Sequence, residues 1–212
     1  MNTSPLTFYP NLPLANVITT LRLGLLLIVI AITYQLTPIW MYLNVFLLVL
    51  MFSTDALDGY VARARNESSE FGAVYDIAID RIVEISLWIV FFDLNYVPLW
   101  VVLLFVIRGG LVDAIRNSFV AAKGKSPFSM LTSKFGTWLV SSKSMRVFYA
   151  VIKAVTFCWL ALIEALKWSA PNLQLDFHLI PIALVLIYSS AFLCLVRGLP
   201  VIVEYLADQR QR

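Results

Sequence analysis

"DALDGYVARARNESSEFGAVYDIAID", Asp55 to Asp80, sets four aspartates, two arginines and two glycines between long apolar runs. The chain around it has 212 residues, 60% hydrophobic and only 14% charged, with a mean hydropathy of +0.83. Soluble domains carry roughly 25% charged residues, so the deficit points to a membrane as solvent. A helix crosses the hydrocarbon layer in about 20 residues. Six candidate spans follow, at 16–36, 38–60, 70–93, 97–120, 147–168 and 179–203. The expected fold is an all-α integral membrane bundle of six transmembrane helices, one domain over residues 1–212.

Lysine and arginine orient such a bundle, because they accumulate on the cytoplasmic side. Six spans put both termini on one side. That side receives Arg63 and Arg65, then Lys123, Lys125, Lys134, Lys143 and Arg146, and finally Arg210 and Arg212. The linkers near Leu36, Asn95 and Pro171 have only Lys167 nearby, so the basic side is read as cytoplasmic. The net charge of +3 reflects this asymmetry, and no basic–aromatic stripe suggests nucleic acid. The cytoplasmic connection around Trp138, Leu139 and Val140 is long for a turn and reads as a short helix at the interface. Cys158 and Cys194 sit in apolar spans without paired spacing, which gives no support to a disulfide framework or a zinc site.

The aspartates lie where the second span ends and the third begins. Asp55, Asp58, Gly59 and Ala62 follow i, i+3, i+4, i+7, one face of a helix; Gly72, Asp76 and Asp80 follow i, i+4, i+8. Two antiparallel neighbours can therefore aim four carboxylates into a shared space, with small residues leaving room beside them. Carboxylates so close repel one another, and charge at membrane depth is costly. Divalent cations relieve both problems: hard oxygen donors suit Mg²⁺ or Mn²⁺, and four acids suit two ions with phosphate completing the shell. Arg63 adds a planar fork suited to phosphate. A solvated loop, with the acids paired to Arg63, Arg65 and Arg81, is the plainer alternative. A cation transporter is another, although acids lining a pore would spread along it rather than cluster at one end. An intramembrane prenyltransferase would use two separated acid clusters.

The pattern Asp55-x2-Asp58-Gly59-x2-Ala62-Arg63-x8-Gly72-x3-Asp76-x3-Asp80 resembles the signature of the CDP-alcohol phosphatidyltransferases at every motif position. The resemblance implies transfer of a phosphatidyl group from a CDP-lipid, usually CDP-diacylglycerol, to an alcohol, with release of CMP. It implies that Asp55, Asp58, Asp76 and Asp80 hold two Mg²⁺ or Mn²⁺ ions and that Asp80 accepts the alcohol proton. Asp58, Gly59, Ala62, Arg63 and Gly72 would contact the cytidine nucleotide, and the resemblance implies a homodimer.

Two further segments resemble the phosphatidylglycerophosphate synthases of that family. "NVITTLR", Asn16 to Arg22, is similar to their N-x2-T-x2-R start, and Arg108 and Arg116 are spaced as in their fourth span. There the middle departs: Gly109 replaces an acid, and Asp113 stands where a small polar residue is usual. Asp113 is expected to pair with Arg116 at i+3. An acceptor bearing phosphate would be held by Arg108, Arg116 and a loop base among Lys134, Lys143 and Arg146. "SKSMR", Ser142 to Arg146, keeps Lys143 but lacks the glycine and second lysine usual at that point. Glycerol 3-phosphate is the first expectation for the acceptor; inositol phosphate and other polar alcohols stay open.

Overall fold

A computed structural model describes residues 14–35, 37–65, 70–123, 134–169 and 175–210. Side chains at 14–15, 55–65, 70, 73, 120–123, 134–135, 175–178 and 208–210 are outside that description. The described elements are all helices: α1 (Leu14–Thr33), α2 (Pro38–Arg65), α3 (Glu70–Asp93), α4 (Leu99–Lys123), α5 (Lys134–Ser141), α6 (Lys143–Ser169) and α7 (Leu175–Arg210). The six long helices fall where the apolar runs lie, and α5 falls at the short helix expected near Trp138. Leu139 and Val140 are buried against α6 and α7, so this helix packs on protein as well as facing outward through Trp138.

By length and composition, three segments can cross a membrane: Asn16–Thr33, Lys143–Ser169 and Leu179–Ala207. The chain is thus an integral membrane protein by its most apolar helices. α3 and α4 fall short of that measure because they carry charge: Asp76, Asp80, Arg81 and Glu84 on α3, and Arg108, Asp113 and Arg116 on α4.

Local chemistry explains the helix ends. Pro38 occupies the first turn of α2, where a missing N–H costs nothing, and the Thr37 carbonyl accepts from the Trp40 and Met41 amides. α3 closes with Asn95 at φ 64°, while the Asn95 and Tyr96 amides return to the carbonyls of Phe92 and Phe91. That left-handed stop reverses the chain into α4. Ser142 caps α6, its hydroxyl accepting the Met145 amide at 3.3 Å. α7 runs for 36 residues with Pro181 and Pro200 inside it, each removing one rung of the hydrogen-bond ladder.

The register between helices places the site. α1 and α3 run parallel: Thr20 meets Tyr75 at 3.0 Å near one end, and Tyr34 donates to Asp93 at 2.8 Å near the other. α2 returns along α1, with Asn44 donating to Thr33. An aromatic core holds α2, α3, α4 and α6 together. Phe157 lies 4.7 Å from Trp88 and 6.0 Å from both Phe52 and Phe91, and Trp88 stacks on Phe105 at 4.6 Å. α4 and α7 approach closely at Gly198, where a Cβ would come within 2.8 Å of the Arg108 Cγ.

Candidate active site

The parallel register of α1 and α3 sets Arg22 beside the acids of α3. Its Nη2 lies 2.6 Å from Oδ1 of Asp76, and its Nη1 lies 2.9 Å from Oδ1 of Asp80. The Arg22 side chain is 3% exposed, whereas those of Asp76 and Asp80 are 40% and 51% exposed. Two carboxylates one helical turn apart thus converge on one buried cation and keep an open side. All of their donors are oxygen, as Mg²⁺ and Mn²⁺ require, so this half of the acid set fits a divalent ion. Among the described residues, no group of three or more potential ligands comes together. The side chains of Asp55 and Asp58 lie outside the described residues, as do those of Gly59, Ala62, Arg63 and Lys134. The α2 backbone nevertheless stays helical through Arg65, which preserves the one-face spacing of Asp55, Asp58, Gly59 and Ala62.

Asp80 also forms part of the wall of a cavity of about 480 Å³ between α1, α2, α3, α4, α6 and α7. Seven cations line it (Arg22, Arg81, Arg108, Arg116, Arg146, Lys153 and Arg197) against three carboxylates, Asp80, Glu84 and Asp113. Its apolar wall includes Phe52 and Phe157 of the aromatic core.

The carboxylates are engaged. Arg81 donates its Nε to Asp113 at 2.7 Å and its Nη2 to the other oxygen at 3.3 Å. The Nη1 of Arg81 donates to Glu84 at 2.7 Å, and Lys153 donates to the second Glu84 oxygen at 2.6 Å. A chain Asp113–Arg81–Glu84–Lys153 therefore ties α4, α3 and α6 together. Asp113 gives both its oxygens to Arg81, an arrangement that the i+3 expectation with Arg116 did not contain.

Arg108 and Arg197 are less completely used. Arg108 is 8% and Arg197 6% exposed. Nε of Arg108 and both Nε and Nη1 of Arg197 are buried without hydrogen-bond partners among the described residues. The Nη2 of Arg197 donates to the Val140 carbonyl at 3.2 Å, and its guanidinium sits 5.3 Å from the Tyr149 ring. Buried N–H groups without acceptors cost about 1–3 kcal/mol each, more when charged.

Of the sequence-predicted acceptor residues, Arg108, Arg116 and Arg146 line the cavity, and Lys143, at the capped start of α6, is exposed and does not. Arg81, Glu84, Lys153 and Arg197 also line the cavity and lie outside the motif positions. The sequence carries a signal for two of them: Lys153 and Arg197 are lone charges within apolar runs, in "AVIKAVTF" and "LCLVRGLPVIV", and ionisable groups at membrane depth mark functional sites by default.

The sequence of this chain is similar to proteins of known family. A family model described as CDP-alcohol phosphatidyltransferase matches residues 12–196. A Rickettsia typhi protein named CDP-diacylglycerol--glycerol-3-phosphate 3-phosphatidyltransferase is 28% identical over 160 residues, covering 71% of this chain and 88% of its own. A Rickettsia bellii protein of the same name is 28% identical over 163 residues, covering 71% and 87%. A Mycobacterium bovis protein named "Putative cardiolipin synthase" is 41% identical over 66 residues, covering 30% and 32%.

Proposed function

The chain belongs to the CDP-alcohol phosphatidyltransferase family, and from that premise we propose that it joins the phosphatidyl group of CDP-diacylglycerol to a phosphorylated alcohol, with glycerol 3-phosphate as the first choice. The observation that carries this reading is the shared cavity: Asp80 stands on the same wall as Arg108, Arg116, Arg146, Lys153 and Arg197. A phosphate on the acceptor answers the net positive charge of that wall, and a neutral alcohol does not. The Rickettsia relatives support the same acceptor by the name they carry.

In the proposed reaction, the acceptor phosphate rests against Arg108 and Arg197, with Arg116, Arg146 and Lys153 adding charge around it. Its free hydroxyl then faces Asp80, which accepts the proton as the oxygen attacks the phosphorus bearing diacylglycerol. The new phosphorus–oxygen bond forms while the bond to CMP breaks, and no covalent enzyme intermediate is needed. Asp76 and Asp80, with Asp55 and Asp58 by motif position, would hold the Mg²⁺ or Mn²⁺ ions, which supply charge neutralisation for the diphosphate. Arg63, Gly59, Ala62 and Gly72 would receive the cytidine nucleotide. The Asp113–Arg81–Glu84–Lys153 chain keeps the walls in register, because each member is held by a neighbour on another helix or one turn away.

Six spans with the basic connections facing the cytoplasm complete the reading. The lipid tails then stay in hydrocarbon while the nucleotide and acceptor enter from the cytosol, and a homodimer is part of the proposal. The test is a panel of labelled acceptors: glycerol 3-phosphate, inositol phosphate, serine and phosphatidylglycerol, each with CDP-diacylglycerol and Mn²⁺. Product from glycerol 3-phosphate together with equimolar CMP supports the proposal. Product from serine alone would remove the role assigned to the cationic wall.

A further inference from the structure

Arg22 occupies an unusual position for a basic residue in an apolar helix. It does not reach toward water; its side chain is 3% exposed and its two terminal nitrogens are divided between Asp76 and Asp80. Two residues earlier, Thr20 ties α1 to α3, its hydroxyl meeting the Asn16 carbonyl at 2.8 Å and the Tyr75 hydroxyl at 3.0 Å. Two carboxylates at i and i+4 repel each other, and the repulsion grows as the local dielectric falls. One guanidinium bound to both removes much of that repulsion and turns both acids toward a single point.

We infer that Arg22 is a positioning residue, an internal counter-cation that keeps Asp76 and Asp80 convergent and competes with the divalent ion for their oxygens. The inference rests on the proposal that these two acids hold such an ion. Arg22 already uses one oxygen of each carboxylate, so an incoming ion must share or displace it and meets a like charge nearby. The fork therefore holds the ligands ready while weakening the ion's grip, which keeps the site exchangeable.

The test is Mn²⁺ binding by the purified full chain in detergent without substrate, read by paramagnetic resonance of free Mn²⁺. Arg22→Gln should bind Mn²⁺ at least about tenfold more tightly than the unaltered chain, given the size of the like-charge contact removed. Arg22→Lys, which keeps one charge but loses the fork, should fall between them. In chelator, Arg22→Gln should melt at a lower temperature, and Mn²⁺ should restore it; a variant that folds only with Mn²⁺ gives the same support. Mn²⁺ affinity equal to or weaker than that of the unaltered chain in Arg22→Gln overturns the inference. If Arg22→Gln fails to fold under both conditions, the same comparison with Arg22→Lys decides. Absence of Mn²⁺ binding in every form overturns the metal assignment as well, whereas binding with unchanged affinity overturns only the role of Arg22.

Discussion

Asp80 belongs to two groupings at once: it shares Arg22 with Asp76 and contributes to the cationic cavity wall. Position i+8 from Gly72 is a matter of helical period, but the cavity on its far side comes only from packing against α4, α6 and α7. As the proposed base, Asp80 has a sharp consequence. Asp80→Asn retains the shape of the side chain and removes its capacity to take a proton, so the CMP release rate should fall about 10²–10⁴-fold. A near-normal rate would move the base elsewhere. Arg116, half-buried on the same wall, makes a different prediction. A charge-assisted hydrogen bond is worth about 1.5–3 kcal/mol, and 1.4 kcal/mol is tenfold. Arg116→Ala should therefore raise KM for glycerol 3-phosphate about 10–100-fold and leave KM for CDP-diacylglycerol unchanged. The reverse pattern would assign Arg116 to the nucleotide.

At the scale of the helices, the outline was readable because apolar runs of membrane length are bounded by turn residues. Pro38 and Asn95 mark ends that the structure keeps, through a proline in a first turn and a left-handed stop. The acids of α3 were readable for the same reason, since i and i+4 positions share a face. The Arg81–Asp113 and Glu84–Lys153 pairs were not readable, because their partners lie 32 and 69 positions apart in sequence. Only the bundle brings them together; spacing along α4 points to Arg116 as a neighbour of Asp113 and carries no sign of Arg81. The Glu84 link is testable as a stability element. Glu84 is 7% exposed and neutralises Lys153 while also meeting Arg81. Removing one partner of a buried pair costs about 3–5 kcal/mol, so Glu84→Ala should lower the thermal midpoint in detergent substantially. The double variant Glu84→Ala, Lys153→Met should recover part of the loss, because no unmatched ammonium remains. An unchanged midpoint in the single variant would show that the pair does not hold α3 to α6.

Across the whole molecule, charge and oil are segregated. The aromatic core around Phe157 holds the helices together, and the cavity above it collects cations from α1, α3, α4, α6 and α7. Those charges keep α3 and α4 from matching the hydropathy of α1, α6 and α7, so the composition that marks a membrane protein is locally broken where the chemistry lies. The proposed function requires that cationic wall to select an acceptor by its phosphate. The most direct measurement is the ratio of kcat/KM for glycerol 3-phosphate to that for glycerol, with purified protein, CDP-diacylglycerol and Mn²⁺. Two charge-assisted hydrogen bonds at the strengths above predict a ratio of about 10² or more. A ratio near one, with both alcohols releasing CMP, would contradict the account.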